Sequence, residues 1–146
     1  FVAAMNQKSA EIGMSNSRFV DATGLHHGNV STAEDLAKLT DAAHHYAVIR
    51  EYTTSDYFRI ESEGKRRRHA LAFVNSNRLL KSRQWEIGLS KTGYISEAGR
   101  CLVMQAIIGD KPMIIILLDS WGKLSRIGDA NRIKRWIEAD AMHVRG

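Results

Sequence analysis

Four kinds of residue pattern in this sequence could do chemistry. One is the tripeptide Lys91-Thr92-Gly93, a cation and a hydroxyl beside a residue with no Cβ. Taken alone it is a weak signal, and a strand end with a turn glycine accounts for it. Another is serine with lysine three residues on. On a helix these stand one turn apart, so that the amine can act on the serine proton. The spacing occurs at Ser62-Glu63-Gly64-Lys65 and at Ser120-Trp121-Gly122-Lys123. The first falls in a predicted hairpin turn and the second follows a predicted strand, so neither is expected to be the nucleophile.

The third pattern is histidine in pairs, His26-His27 and His44-His45. The first pair lies in a predicted loop. The second lies at a helix end, where imidazolium suits the dipole. Adjacent histidines on a helix point about 100° apart and do not converge as i, i+4 pairs do. No metal site is expected, and no metal or organic cofactor is implied. The fourth is the single cysteine, Cys101, in an apolar strand with no His or Asn in motif context. A buried, inert thiol is the expectation. Trp85, Trp121 and Trp136 read as packing residues. The run Lys65-Arg66-Arg67-Arg68 follows Glu61 and Glu63 across a turn and reads as a solvated hairpin with cross-strand charge pairs.

The chain that must position these residues has 146 of them, 44% hydrophobic and 25% charged. That length suits one domain with a real core. The apolar content excludes disorder as the main state. One Cys excludes an internal disulfide framework and a cysteine-rich zinc site. The net charge of +5 favours acidic or phosphate-bearing surroundings. The longest apolar run, Met113 to Leu118, is six residues, and a spanning helix needs about 20. No transmembrane segment and no signal peptide are visible. The first residue is Phe, inside a predicted helix, so the chain reads as a processed or truncated piece.

A helix is predicted over Phe1 to Ile12, closed by Gly13. Loop follows from Ser15 to Val30. Ser31-Thr32-Ala33-Glu34 has the form of a capping box. Leu36, Leu39 and Ala43 then mark one face of a helix. A short helix is expected near Tyr46–Tyr52. Asp56 to Phe73 reads as a hairpin with its turn at Glu61 to Gly64. Three strands are predicted over Trp85–Tyr94, Arg100–Ile108 and Met113–Asp119. Their short connections require antiparallel neighbours. The last two are apolar on both faces, so both faces are expected to be covered, most simply by helices. A last helix is predicted from Gly128-Asp129, with Ile133, Trp136, Ile137 and Ala141 on one face. The fold class is α+β, an antiparallel sheet flanked by helices.

Context changes the weight of the tripeptide. Ile87-Gly88-Leu89-Ser90-Lys91-Thr92-Gly93-Tyr94-Ile95-Ser96-Glu97-Ala98-Gly99 runs straight into Cys101-Leu102-Val103. This resembles the low-molecular-mass penicillin-binding proteins, the D-alanyl-D-alanine carboxypeptidase/endopeptidase family of serine peptidases. The family pairs K-T-G with S-x-x-K and S-x-N motifs. Asn6-Gln7-Lys8 through Met14, Arg18-Phe19-Val20-Asp21-Ala22-Thr23-Gly24-Leu25, Asn29 through Leu36 and Asn75-Ser76-Asn77-Arg78-Leu79-Leu80 continue the resemblance in order, over most of the chain. It is closest to the endopeptidase branch. Ala22 departs from the family, which commonly has Pro there. No S-x-N triplet occurs in these residues.

The resemblance implies the C-terminal part of a penicillin-recognising serine transpeptidase/β-lactamase-like domain, its nucleophile lying on an N-terminal part outside this chain. It implies acyl transfer on D-Ala-D-Ala or cross-link peptide bonds of peptidoglycan, in the periplasm, with β-lactams as inhibitors. Lys91 would supply electrostatics beside the nucleophile. Thr92 would bind the substrate carboxylate and Gly93 would allow close backbone approach. The backbone N–H of Tyr94 would be an oxyanion donor, and Arg126 a carboxylate ligand or a solvated residue before the last helix. Partners would be peptidoglycan peptides, β-lactams and the missing N-terminal part, with no nucleic acid. The rival from another class is a basic, non-catalytic binding domain for nucleic acid or anionic wall polymer.

Overall fold

The structure is a computed structural model and describes residues 1–63 and 68–143. Its elements run α1 (Val2–Glu11), α2 (Ala33–His44), α3 (Ala47–Thr54), β1 (Tyr57–Glu63), β2 (Arg68–Val74), a short 3₁₀ turn (Arg78–Lys81), β3 (Glu86–Ile95), β4 (Gly99–Ile108), β5 (Lys111–Ser120) and α4 (Ser125–His143). The three predicted strands form one antiparallel sheet in the order β3-β4-β5. Gly109 and Asp110, both at positive φ, make the two-residue turn between β4 and β5. That turn is shorter than the sequence suggests, because Lys111 and Pro112 already pair with Ile108 and Ile107.

The α+β expectation is met, and helices lie on both faces of the sheet. Leu102, Met104, Ala106 and Ile108 alternate along β4 and are all buried, with Ile115, Leu79, Trp85 and Ala130 of α4 in the same cluster. Ile127, Ile133 and Ile137 bring the apolar side of α4 onto it. Burying a side chain such as Leu102 contributes about 1.5–3 kcal/mol. On the opposite face α2 lies against β4 and β5, and α3 lies against β3. No helix among the described residues is long and apolar enough to cross a membrane.

Several expectations need correction. The cap of α2 is Thr32, not Ser31: its side chain accepts from the Asp35 N–H, while Ser31 shares a 2.7 Å hydrogen bond with Ser17. The residue three beyond the true cap, Asp35, is fully buried. It accepts from the Asn16 N–H and the Ser17 hydroxyl, each at 2.8 Å, and from Lys38. Burial alone would raise its pKa, but these bonds outweigh that and hold it below the usual 3.8.

The last helix starts at Ser125, earlier than the Gly128-Asp129 pair suggests. The Gly128 N–H already bonds the Leu124 carbonyl at 2.9 Å, the i to i−4 bond that any residue but proline can make. Trp136 lies off the core face and is 71% exposed, and Trp121 is 99% exposed. Only Trp85 packs as expected, with its indole N–H donating to Asn131 at 2.9 Å. Cys101 is half-buried rather than buried.

The hairpin of β1 and β2 forms in the predicted place. Glu61, Ser62 and Glu63, read as turn, belong to β1 and pair with Ala70, His69 and Arg68. The turn itself and the basic run at 65–67 lie outside the described residues. Arg59 pairs with Glu61 of the same strand at 3.2 Å, and the cross-strand pairs expected of Lys65 to Arg68 rest on side chains outside those described.

Candidate active site

Strand β3 is an outer strand of its sheet, so one edge of it is free to meet a ligand. A register shift between Ile87 and Leu89 bends the strand just before the Lys-Thr-Gly motif. Gly88 sits in that bend. A Cβ there would stand 2.2 Å from Gln105 Oε1 and 2.7 Å from His44 Nε2, so any larger residue would have to displace those two side-chain ends beneath α2. Beyond the bend, Leu89 and Ser90 are buried and anchor the strand. Lys91 is then exposed, Thr92 half-buried, and Gly93 and Tyr94 exposed.

The motif is held from one side by Asn75-Ser76-Asn77. Asn75 donates to the carbonyls of Thr53 and Ser55, each at 3.1 Å, tying the segment to the end of α3. Asn77 is 1% exposed. Its side-chain oxygen accepts from the Leu79 N–H at 3.1 Å, and its amide donates to Ser90 Oγ at 2.8 Å. Ser76, between the two, shares a 2.5 Å hydrogen bond with Thr92 Oγ1. Local Asx-type bonding thus shapes the loop, and two long-range bonds, to Ser90 and Thr92, register it on β3.

Two depressions meet at this hydroxyl pair, since Ser76 and Thr92 line both. One, of about 300 Å³, is bounded by Tyr52, Thr53, Val74, Asn75, Ser90 and Lys91. The other, of about 170 Å³, holds the side chains of Arg78, Arg100, Lys123 and Arg126. The Lys91 ammonium bonds the Thr92 carbonyl. Arg126 is buried and donates from Nη1 to the Cys101 carbonyl at 2.6 Å, while its buried Nε has no partner among the described residues. Burial first, then the charge of Arg100, lowers the Arg126 pKa from its ordinary value, against a smaller upward effect of Cys101. The Arg100 guanidinium lies 4.5 Å over the Tyr94 ring, in register with it across the strands.

The structure therefore places Thr92 and Arg126 on one pocket, Lys91 on the other, and Gly93 and Tyr94 on the exposed strand beyond. Arg126 is not the solvated residue of the bland reading. Ser76, Asn77, Arg78, Arg100 and Lys123 were not singled out from sequence as site residues, because only the fold brings them beside Thr92. Ser62 lies within β1, one residue before its end, and Ser120 ends β5; neither sits on a helix. The rings of His26 and His27 stack at 4.6 Å. Among the described residues no three His, Cys, Asp or Glu side chains gather as a metal site.

Comparison with known proteins agrees with this geometry. The family model for D-alanyl-D-alanine carboxypeptidase matches residues 1–122. A D-alanyl-D-alanine endopeptidase of Pseudomonas aeruginosa is 40% identical over 138 residues, covering 94% of this chain and 44% of that protein. The Escherichia coli protein of the same name is 41% identical with the same coverage. Among solved structures, a Streptomyces DD-transpeptidase superposes with a TM-score of 0.80 at 27% identity, over 92% of this chain and 52% of that one. A Listeria monocytogenes penicillin-binding protein with bound cefotaxime gives 0.74 at 28% identity, over 92% and 53%. The chain spans about half the length of the proteins that it matches. With a family match over residues 1–122 and 40–41% identity to two relatives over 94% of its length, this chain belongs to the D-alanyl-D-alanine carboxypeptidase family of peptidases.

Proposed function

We propose that this chain supplies the substrate-binding strand of a serine peptidase that cleaves D-Ala-D-Ala or cross-link peptide bonds of peptidoglycan. The observation that carries the reading is the Lys91-Thr92-Gly93 motif on the free side of β3, flanked by a basic pocket and by a second depression. The nucleophilic serine lies on an N-terminal part of the same catalytic domain, outside these residues, and the chain alone is inactive.

The reaction is acyl transfer. The serine oxygen attacks the carbonyl carbon, its proton passes to a base and then to the leaving amine, and an ester acyl-enzyme remains. Water then cleaves the ester. A β-lactam forms the same ester and leaves slowly. Lys91, exposed and with its ammonium bonded to the Thr92 carbonyl, lends positive charge beside the nucleophile. Thr92 Oγ1 and Arg126 take the substrate carboxylate. Arg126 supports this role with a buried cation whose Nε has no acceptor among the described residues.

Nothing within the fold requires glycine at position 93, since a Cβ there would meet only Cys101 Cβ, at 3.9 Å. Its value is outward, where substrate backbone would lie. The strand period puts the Tyr94 N–H on the same edge as the Thr92 carbonyl, where it serves as an oxyanion donor. One such donor contributes about 10²–10³ in rate. Peptidoglycan as substrate places the protein in the periplasm, and no cofactor is called for. The endopeptidase names of the two relatives favour cross-linked peptides over linear ones.

The test is acylation of the full-length protein by a labelled penicillin. Lys91→Ala should slow acylation by about 10²-fold or more, the scale of losing one preorganised electrostatic group, with the melting temperature unchanged. Unchanged acylation would remove Lys91 from the mechanism.

A further inference from the structure

The pocket beside Thr92 holds more positive charge than one carboxylate needs. Arg78, Arg100, Lys123 and Arg126 all line it, and no acidic side chain does. None of the four takes part in an ion pair among the described residues. Arg126 is nine-tenths buried, and its Nε has no partner among the described residues. Arg100 is close enough to press on the Arg126 charge, and its own guanidinium is fixed over Tyr94 at the end of the motif. A buried Arg126 beside a half-buried Arg100 without counter-charge is costly, while Arg78 and Lys123 stand exposed and add to the same positive field. A ligand with two negative charges would relieve the site where a single carboxylate would not.

The chemistry of the two bond types separates on this point. Cleaving a terminal D-Ala-D-Ala bond releases one amino acid with one carboxylate. Cleaving a cross-link releases an amine that is still part of a second peptide, which brings carboxylates of its own. We propose that Arg78, Arg100 and Lys123 form a second anion subsite, beyond the one made by Thr92 and Arg126. This subsite holds a second carboxylate of the leaving peptide, so that the enzyme prefers cross-linked over linear substrates. The inference rests on the peptidase reading above and names the substrate class within it.

Two measurements on the full-length protein test it. In calorimetric titration with glutarate and acetate as probes, the wild type should bind the dicarboxylate at least tenfold more tightly. The Arg100→Gln/Lys123→Gln double variant should lose that preference, and Arg100→Lys should keep most of it. In kinetics, the double variant should raise KM for a cross-linked peptide dimer by about tenfold with kcat nearly unchanged, since a tenfold loss corresponds to about 1.4 kcal/mol of binding. Any loss on a linear pentapeptide or in acylation by benzylpenicillin should be at least about threefold smaller than the loss on the dimer, because Thr92 and Arg126 stay in place. Equal losses on dimer and pentapeptide would overturn the second subsite, as would an absent dicarboxylate preference in a protein that penicillin acylates. A protein that penicillin does not acylate but that still prefers glutarate through Arg100 and Lys123 would keep the anion subsite and reject the peptidase reading.

Discussion

Asn77 is the residue whose removal should do most to separate the loop from the motif. It is 1% exposed, and beside a long 3.7 Å contact of its amide to Met104 Sδ it makes two stronger side-chain bonds of different reach. Its oxygen caps the 3₁₀ turn through the Leu79 N–H, a local bond whose loss costs about 1 kcal/mol. Its amide donates to Ser90 Oγ, which is itself buried at 3% exposure. Leaving that hydroxyl without its partner costs about 1–3 kcal/mol. Asn77→Ala should therefore destabilise by about 3 kcal/mol. In a domain of this size or somewhat larger that is a fall in melting temperature of roughly 6–12 °C. The assay is thermal and urea unfolding of Asn77→Ala, Ser90→Ala and the double variant. Residues that share a buried bond should show a coupling energy of about 1 kcal/mol. Acylation by penicillin should also slow in Asn77→Ala, because Ser76 is no longer held against Thr92. Additive single effects, within about 0.3 kcal/mol, would show that the Asn77–Ser90 bond does not join loop to strand, and the reasoning would fail.

Three further outcomes are expected. Gly88→Ala drives a Cβ to 2.2 Å from Gln105 Oε1 and should cost about 1–3 kcal/mol, the usual range for overpacking. Adding Gln105→Ala should recover part of that loss in urea unfolding. The Asp35 carboxyl is held below its usual 3.8, so the stability it contributes is present above that pH and is lost as pH falls through the lowered value. Asp35→Asn should flatten this part of the acid limb of a plot of melting temperature against pH, and an unchanged limb would contradict the assignment. Trp85→Phe gives up the 2.9 Å bond to Asn131 and should destabilise by about 1 kcal/mol by chemical denaturation.

What could be read directly from the sequence was local or periodic. The three long strands show alternating or fully apolar runs bounded by glycines, and each appears within two residues of its expected start. The hairpin and the short helix after α2 follow from the same signals. The misreadings came from positions where two local solutions compete. Ser31 and Thr32 can each cap a helix, and the choice falls to Thr32 because Ser17 engages Ser31 while Asp35 is drawn into the core. Trp136 is large and apolar, yet α4 turns the stripe of Ile127, Ala130, Ile133 and Ile137 to the sheet and leaves the indole outside.

The site divides in the same way. Lys91, Thr92, Gly93 and Tyr94 are contiguous, so a motif can carry them. Ser76, Asn77, Arg100 and Lys123 reach Thr92 only through strand pairing and loop closure, and no spacing rule announces them. The net charge of +5 had left a general basic binding domain as the rival reading. Four of those cations prove to line a single pocket beside Thr92, which is the location a carboxylate-binding site needs.

The central claim is that this chain holds the substrate strand while the nucleophile lies elsewhere in the protein. Peptide mapping by mass spectrometry of the full-length protein after treatment with benzylpenicillin tests it most directly. One penicilloyl adduct should appear, on a serine outside these 146 residues, and Lys91→Ala should greatly slow its formation. An adduct on Ser62, Ser120 or any other residue of this chain, or no adduct on the folded full-length protein, would contradict the account.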